Sequence, residues 1–197
     1  SQNHQYNRIA HNTFSQGSYG VYWSGNPVIP VFSKGISIDS NEFNNLYYMG
    51  VYSYYTEGPN YSANKITFNA GYSYPVGIFS SSSAKGGTIS NNIITSTNVI
   101  GGYPIDVEYP SYYITNYPSF NFDDGSKKMN IFNNSISLSG TTSTYYGMYL
   151  YAPSNTNVYH NSVNVVGNSY GFYSYAATDT AFNIENNSFV TEINYPA

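Results

Sequence analysis

The sequence contains no cysteine, one tryptophan and one arginine, Arg8, and only 8% of its 197 residues are charged. Without cysteine, neither a disulfide framework nor a cysteine-based metal site can form. The few basic residues and the formal net charge of −4 argue against nucleic acid as a partner, because phosphate backbones are bound by clustered Lys and Arg. No apolar run reaches the roughly eighteen residues of a transmembrane helix, so we expect no membrane insertion.

Low charge combined with abundant Tyr, Asn and Ser favours an extracellular or cell-surface protein over a cytosolic enzyme. No signal peptide is visible, and the chain starts at Ser1 without a methionine. We therefore expect a mature or excerpted segment of a longer chain, whose export signal lies elsewhere.

The sequence does contain a repeated phrase: an apolar residue, two variable residues, an asparagine, one variable residue and a second apolar residue. Val158, Asn161 and Val163 form a clear copy, whereas the third copy, with Ile66, has Gly71 in place of the second apolar residue. Successive asparagines are 23 to 42 residues apart, and a period in this range indicates a repeat architecture. The predicted set is Asn12, Asn41, Asn69, Asn92, Asn134, Asn161 and Asn187.

A second phrase, a glycine followed by an apolar residue and an aromatic residue, recurs in phase with the first. Its copies are Gly20-Val21-Tyr22, Gly50-Val51-Tyr52, Gly77-Ile78-Phe79, Gly147-Met148-Tyr149 and Gly171-Phe172-Tyr173. In the fourth repeat, Tyr103-Pro104-Ile105-Asp106 stands about where this phrase belongs. The short alternating runs rich in β-branched and aromatic residues, separated by Gly, Asn and Ser, predict strands and turns.

The asparagines suit tight corners, because Asn tolerates the left-handed backbone region better than most residues. Stacked at the strand spacing of roughly 4.8 Å, their amides can hydrogen-bond to one another as an asparagine ladder. With these two phrases the sequence resembles the right-handed parallel β-helix repeat family, the pectin-lyase-like fold, over about residues 6 to 190.

The resemblance implies an all-β, right-handed parallel β-helix, or solenoid, of about seven rungs in a single domain, 1–197. The longest spacing between asparagines places a loop insertion at about 108–128. The sequence is also similar to the long Asn- and Tyr-rich repeat proteins exported by Bacteroidetes-type bacteria, which implies a secreted surface module.

The insertion contains the acidic pair Asp123 and Asp124, followed by Gly125. Paired carboxylates are oxygen ligands suited to Ca²⁺, while Asp-Gly is also an ordinary turn sequence, which we prefer here. In the pectin-cleaving relatives, clustered acids are accompanied by Gly-His-Gly and Arg-x-Lys motifs, and both motifs are absent from this sequence. The sequence therefore predicts no catalytic residues and no cofactor, with Ca²⁺ at Asp123 and Asp124 as a weak alternative.

The histidines do not indicate a metal site. His11 and His160 each precede a repeated asparagine, but they are five rungs apart, roughly 24 Å at the strand spacing. Zinc bonds are about 2 Å long, so the two side chains cannot share an ion.

Tyrosine is the most informative residue type, with 25 copies. Positions two and four residues beyond the glycine of the second phrase should face outward, and they form two adjacent stripes. Such stripes can stack on sugars or a partner chain, or they can stabilise the sheet alone, and both interpretations remain open. The candidate ligand-binding residues are Tyr52, Tyr54, Tyr149, Tyr151, Tyr173 and Tyr175.

We therefore expect a non-catalytic structural or adhesive repeat module that binds glycans or partner chains through tyrosine. The alternative is a lyase or hydrolase acting on acidic polysaccharide, which would require three or more carboxylates with an Arg or Lys in one groove. Strand edges at both ends of a β-helix favour pairing, so we also expect neighbouring repeats or identical subunits end to end.

Overall fold

The protein is described by a computed structural model over residues 5–25, 33–68, 74–83, 85–110, 127–140, 145–167, 169–175 and 181–192. The regular elements in these ranges are all β-strands. In this part of the chain there is consequently no helix long and apolar enough to span a membrane.

The strands form three parallel sheets, and each turn of the chain adds one strand to each sheet in the order I, II, III. Sheet I contains β1 (Arg8–Ala10), β5 (Ser37–Asp39), β9 (Asn60–Ser62), β12 (Gly87–Ser90), β15 (Met129–Phe132), β18 (Thr156–Tyr159) and β21 (Phe182–Glu185). Sheet II contains β2 (Thr13–Ser15), β6 (Glu42–Leu46), β10 (Lys65–Phe68), β13 (Ile93–Val99), β16 (Ser135–Gly140), β19 (Ser162–Val166) and β22 (Ser188–Glu192). Sheet III contains β3 (Tyr19–Ser24), β7 (Met49–Tyr54), β11 (Val76–Ser81), β14 (Tyr103–Glu108), β17 (Tyr145–Tyr151) and β20 (Ser169–Tyr175). A further two-stranded sheet consists of β4 (Ser33–Lys34) and β8 (Thr56–Glu57). Each of these strands lies in sequence between a strand of sheet III and the next strand of sheet I.

Every pairing between these strands is parallel, and each strand pairs with its equivalents one turn before and one turn after it. In sheet I, for example, Ile38 is opposite Ile9 on one side and Tyr61 on the other. The chain is therefore a parallel β-helix, as the repeated phrases predicted.

The coil has about five turns, fewer than the seven rungs that were predicted. Sheets I and II have seven strands each, but sheet III has six, since the described residues contain no strand of sheet III after β22. The repeated asparagine marks only the corner between sheets I and II, so counting asparagines does not count complete turns.

The core is a column of apolar side chains inside the coil. Sheet I contributes Ile38, Tyr61, Ile89, Ile131 and Val158; sheet II contributes Phe43, Ile66, Ile94, Ile136 and Val163; sheet III contributes Val51, Ile78, Ile105 and Met148. All of these are at most 2% exposed, and full burial of one such side chain contributes about 1.5–3 kcal/mol. Stacked layers of these residues are what hold successive turns together.

The asparagine ladder is present, but its third member is Asn64 and not Asn69. Asn41 donates from Nδ2 to Asn64 Oδ1 at 3.1 Å, and Asn64 donates in the same way to Asn92 at 3.0 Å. The third copy of the phrase is Tyr61, Asn64 and Ile66, in which a buried tyrosine replaces the expected aliphatic residue. Asn69 lies outside the described residues.

The ladder continues with the same geometry through Asn134, Asn161 and Asn187. Each Nδ2 group bonds the next Oδ1 at 2.9 Å, and each Oδ1 also accepts from the backbone N–H of the preceding ladder asparagine. A buried amide therefore satisfies both its own donors and a neighbour's main chain, which avoids the penalty of an unpaired buried group.

The left-handed corner lies one residue earlier than predicted. The residue before each ladder asparagine has φ near +55°, whereas no ladder asparagine has positive φ. His11 and His160 are two of these corner residues, with φ of 57° and 55°. The asparagines are therefore required for their hydrogen bonds. The left-handed backbone conformation is adopted by the preceding residue, whose type varies from turn to turn.

The glycine of the second phrase is required by close packing against sheet II. A Cβ atom at Gly20 would lie 2.3 Å from the Phe43 ring, and one at Gly147 would lie 2.3 Å from a methyl group of Val163. In the fourth rung Pro104 occupies the corresponding position. The phrase therefore marks the place where sheet III approaches sheet II most closely.

Candidate ligand-binding groove

The outward surface of sheet III, which we call the tyrosine face, carries three columns of side chains in strand register. The first column is Tyr22, Tyr52, Phe79, Asp106, Tyr149 and Tyr173. The second is Ser24, Tyr54, Ser81, Glu108, Tyr151 and Tyr175. The third, which the sequence did not reveal, includes Tyr19, Met49, Val76, Tyr103, Tyr146 and Tyr170.

Rings of neighbouring rungs stack along the columns. Tyr52 stacks on Tyr22 with centroids 4.7 Å apart and on Phe79 at 5.0 Å. Beyond the fourth rung, Tyr149 stacks on Tyr173 at 5.7 Å. Rings of the third column meet those of the first edge-on, as at Tyr146 and Tyr173, where the centroids are 5.1 Å apart. Such contacts contribute about 0.5–1.5 kcal/mol each beyond burial, so the columns also stabilise the sheet.

The six tyrosines proposed as ligand-binding residues all lie on this face, but the structure separates them into two groups. Tyr52 and Tyr54 lie on the N-terminal side, with ring centroids 5.7 Å apart. The other four, Tyr149, Tyr151, Tyr173 and Tyr175, lie on rungs five and six. The division falls at the fourth rung, because Phe79 of the third rung continues the stack from Tyr52.

The fourth rung divides the face because carboxylates replace aromatic rings there. Asp106 takes the place of a ring in the first column, and Glu108 takes the second-column place. Asp106 is only 8% exposed, and its Oδ1 atom has no hydrogen-bond partner among the residues that the structure describes. Burial, with a smaller contribution from the charge of Glu108, raises the pKa of Asp106 to about 8.

Glu108 is the more accessible of the two acids. The hydroxyl of Ser81 donates to its Oε2 at 3.5 Å. Burial nevertheless raises the pKa of Glu108, and the bond from Ser81 only partly opposes this effect. The two carboxyl groups are two residues apart on one strand and so face the same side, which makes charging both of them at once unfavourable.

Around these acids the tyrosine face forms a groove of about 610 Å³, which we call the carboxylate groove. Its walls are mainly aromatic, with Phe79 on one side of the acids and Tyr149 on the other. Among the described residues that line it, none is Lys, Arg or His. Burial and then the nearby Asp106 and Glu108 charges raise the pKa of Tyr149 to about 12, so this phenol stays protonated.

Sequence reasoning missed both acids, although a signal for them was present. Aligning Tyr103-Pro104-Ile105-Asp106 with the second phrase places Asp106 at the aromatic position, but the segment resembled a degraded copy of the phrase. Only the strand register shows that the substitution leaves a gap between two stacks of rings.

Of the remaining sequence candidates, those within the described residues do not lie in the groove. Asp123 and Asp124 lie outside the described residues. His11 and His160 are on the corner between sheets I and II. Within the described ranges, no cluster of three or more His, Asp or Glu residues could hold a metal ion.

The fold and the groove together define a parallel β-helix with a tyrosine-rich face interrupted by two acids. Comparison with protein-family models, with curated proteins and with solved structures gives no match to this chain.

Proposed function

We propose that this chain is a secreted or cell-surface structural and adhesive module, which binds glycans or partner chains through the tyrosine face. It would belong with the right-handed, pectin-lyase-like β-helices, similar to the Asn- and Tyr-rich surface repeat proteins of Bacteroidetes-type bacteria. The observation that supports the proposal is the amount of aromatic surface on this face. Tyr22, Tyr170 and Tyr175, on the outer strands of sheet III, are 61%, 49% and 54% exposed.

A tyrosine ring offers a flat apolar body with a polar tip, which suits stacking on a sugar ring or a partner's side chain. Each stacked ring contributes only about 1 kcal/mol, so useful affinity needs several contacts at once. A column of rings at the strand repeat provides this multivalency.

Binding of the protein to immobilised polysaccharides and cell surfaces tests the proposal. We expect Tyr149→Ala combined with Tyr151→Ala to weaken binding by about 2 kcal/mol, roughly 30-fold. The matched control is Phe132→Ala combined with Tyr159→Ala, which removes two rings stacked at 5.0 Å on sheet I. Equal loss in both double variants, or no loss in the first, would contradict a binding role for the face.

Assembly end to end is part of the same proposal. The outer strands of the three sheets are β1, β2 and β3 on one side and β21, β22 and β20 on the other. Outer strands have backbone groups free to pair with a further repeat or an identical subunit. Small-angle scattering should then give a particle longer than the roughly 29 Å that the six spacings between seven stacked strands cover. A concentration-independent, compact monomer would contradict the proposal.

A polysaccharide-cleaving activity is the second candidate, because glycoside hydrolysis uses a pair of carboxylic acids and burial raises the pKa of both acids of this groove. The groove falls short of the requirement set above, since its described lining has two acids and no Arg or Lys. We therefore expect no release of reducing ends or unsaturated uronides from pectin-like polymers. Activity that is abolished by Asp106→Asn would reverse this preference.

A further inference from the structure

We propose that the carboxylate groove is a binding site for an organic ammonium group, held between the rings of Phe79 and Tyr149 above Asp106. The proposal does not rest on the adhesive role, because it concerns one pocket and one chemical group. It follows from the geometry of the stack, from the buried acid and from the composition of the groove wall.

The geometry is that of an aromatic stack with one ring left out. Phe79 and Tyr149 are the immediate register neighbours of Asp106, so they are two strand spacings apart, roughly 9.5 Å. Each ring stacks on its other side with a nearly parallel neighbour, at 12° and 10°, so each turns a face toward the gap. A nitrogen midway would be about 4.8 Å from both rings, within the roughly 6 Å at which cation–π attraction is significant.

The buried acid supplies the charge that such a site needs. Asp106 lies at the base of the gap and is more than nine-tenths buried, and its Oδ1 atom has no partner among the described groups. A buried carboxylate without an opposite charge nearby is costly, and a cation in the groove would supply that charge. The same cation would offset the repulsion between Asp106 and Glu108.

The wall composition selects an ammonium group over other ligands. A metal ion such as Ca²⁺ takes six to eight oxygen ligands, whereas this groove has two carboxylates among aromatic rings. An anion would meet two acids and no basic residue of the described lining. A neutral molecule would leave the two acids uncompensated. The faces of aromatic rings favour a cation with an apolar surface, which describes an alkylated or aliphatic ammonium.

Binding should therefore increase with pH. Around Asp106, strand β14 presents Tyr103 and Glu108, β17 presents Tyr146, Tyr149 and Tyr151, and β11 presents residues that do not titrate. The other titratable groups that line the groove are Tyr48, Tyr74, Tyr173 and Tyr175. The pKa of Asp106 is about 8, so the ionised fraction rises about 20-fold between pH 6.5 and pH 8.5. Binding of a permanently charged ligand should strengthen by a similar factor.

Titration of the full chain with tetramethylammonium, followed by calorimetry or by ligand NMR, tests the proposal. This cation does not titrate, and tert-butanol is its neutral counterpart of similar size. We expect tetramethylammonium to bind about 20-fold more tightly at pH 8.5 than at pH 6.5, and tert-butanol to bind weakly at both. Equal binding of the two ligands, or no dependence on pH, would overturn the proposal.

Two variants locate the site. Asp106→Asn keeps the shape and should weaken tetramethylammonium binding at least tenfold at pH 8.5, and Tyr149→Leu should also weaken it. The matched control is Glu42→Gln, which removes an exposed negative charge on sheet II. Unchanged binding in a folded Asp106→Asn protein, or an equal loss in Glu42→Gln, would contradict the site.

Competition against bound tetramethylammonium compares two sources of the ammonium group. Methyl glucosaminide represents an amino sugar, and lysine methylamide represents the side chain of a partner protein. Displacement of tetramethylammonium by either compound, but not by its N-acetylated form, is expected. Displacement by neither would count against an organic ammonium ligand.

Discussion

Replacement of Asp106 by asparagine should stabilise the protein in alkaline solution and have little effect in acid. The side chain is buried, its Oδ1 atom has no partner in the described part of the chain, and its pKa is about 8 in the folded protein against 3.8 for an ordinary aspartate. Asparagine has nearly the same shape but no charge, so the substitution removes the ionisation and leaves the packing almost unchanged.

The stabilisation expected in alkaline solution follows from the proton that Asp106 retains in the folded state. Below pH 3.8 the carboxyl group is protonated in both states, so it does not disfavour folding. Between pH 3.8 and pH 8 the unfolded chain releases the proton while the folded chain keeps it, and stability falls as pH rises. Above pH 8 the folded group is ionised too, and the loss is complete.

The size of the stability loss follows from the same shift in the pKa of Asp106. About four pH units at about 1.4 kcal/mol per unit give a loss of about 5–6 kcal/mol, comparable with the whole stability of many domains. We therefore expect Asp106→Asn to exceed the natural sequence by several kcal/mol at pH 9 and to equal it within about 1 kcal/mol near pH 4.

Urea unfolding at pH 4, 6.5 and 9, followed by circular dichroism, measures this difference. Subtracting the natural protein from the variant at each pH cancels the titration of all other groups. The exposed Glu42→Gln substitution is the control and should give a difference that is small and flat. A variant curve parallel to that of the natural protein, or an asparagine variant that is less stable at pH 9, would refute the reasoning.

Three further substitutions test the coil itself. Asn161→Leu should cost about 3 kcal/mol or more in urea unfolding, because its buried amide bonds both adjacent rungs. Gly147→Ala should cost about 1–3 kcal/mol, since the new Cβ would lie 2.3 Å from a valine methyl. Asp39→Asn should destabilise at pH 7 but not at pH 2, because the hydrogen bond from Arg8 lowers the pKa of Asp39, and its stabilisation is lost as pH falls through that pKa.

Each of these predictions has a specific contrary outcome. Asn164→Leu, at an exposed position of sheet II, is the control for the ladder, and an equal cost in both asparagine variants would contradict the role of the buried amide. An unchanged melting temperature for Gly147→Ala would show that sheets II and III are not in tight contact. A loss of stability in Asp39→Asn that is the same at pH 7 and pH 2 would exclude the ion pair as its cause.

The strands and the ladder could be predicted because they depend on side-chain chemistry that each turn repeats. The error at Asn69 arose because Ile66 was taken as the first apolar residue of the third copy, and the residue that holds that place, Tyr61, was not counted as apolar. Tyr61 is instead fully buried, and its hydroxyl donates to Ser53 Oγ at 2.5 Å inside the coil. A sequence pattern cannot show that an interior hydroxyl will find such a partner, so the correct copy, with Asn64, was not recognised.

The tyrosine columns were predicted from spacing, whereas the carboxylate groove was not. The columns depend on a period that the sequence displays. The groove depends on one rung that breaks the period, and its properties come from residues that are remote along the chain. Phe79 and Tyr149 are brought to either side of Asp106 only by strand pairing, and the burial that shifts the acid's pKa is a property of the assembled face.

The long connection between β14 and β15 adds residues to one turn of the coil at a small cost in folding stability. Ladder asparagines are 42 residues apart across it and 27 apart in the next turn. Because the entropy of loop closure grows only with the logarithm of length, the extra chain costs about 0.4 kcal/mol. Residues 111–126 of this connection lie outside the described residues, but its starting point is fixed, because strand β14 carries both groove acids and ends at Glu108.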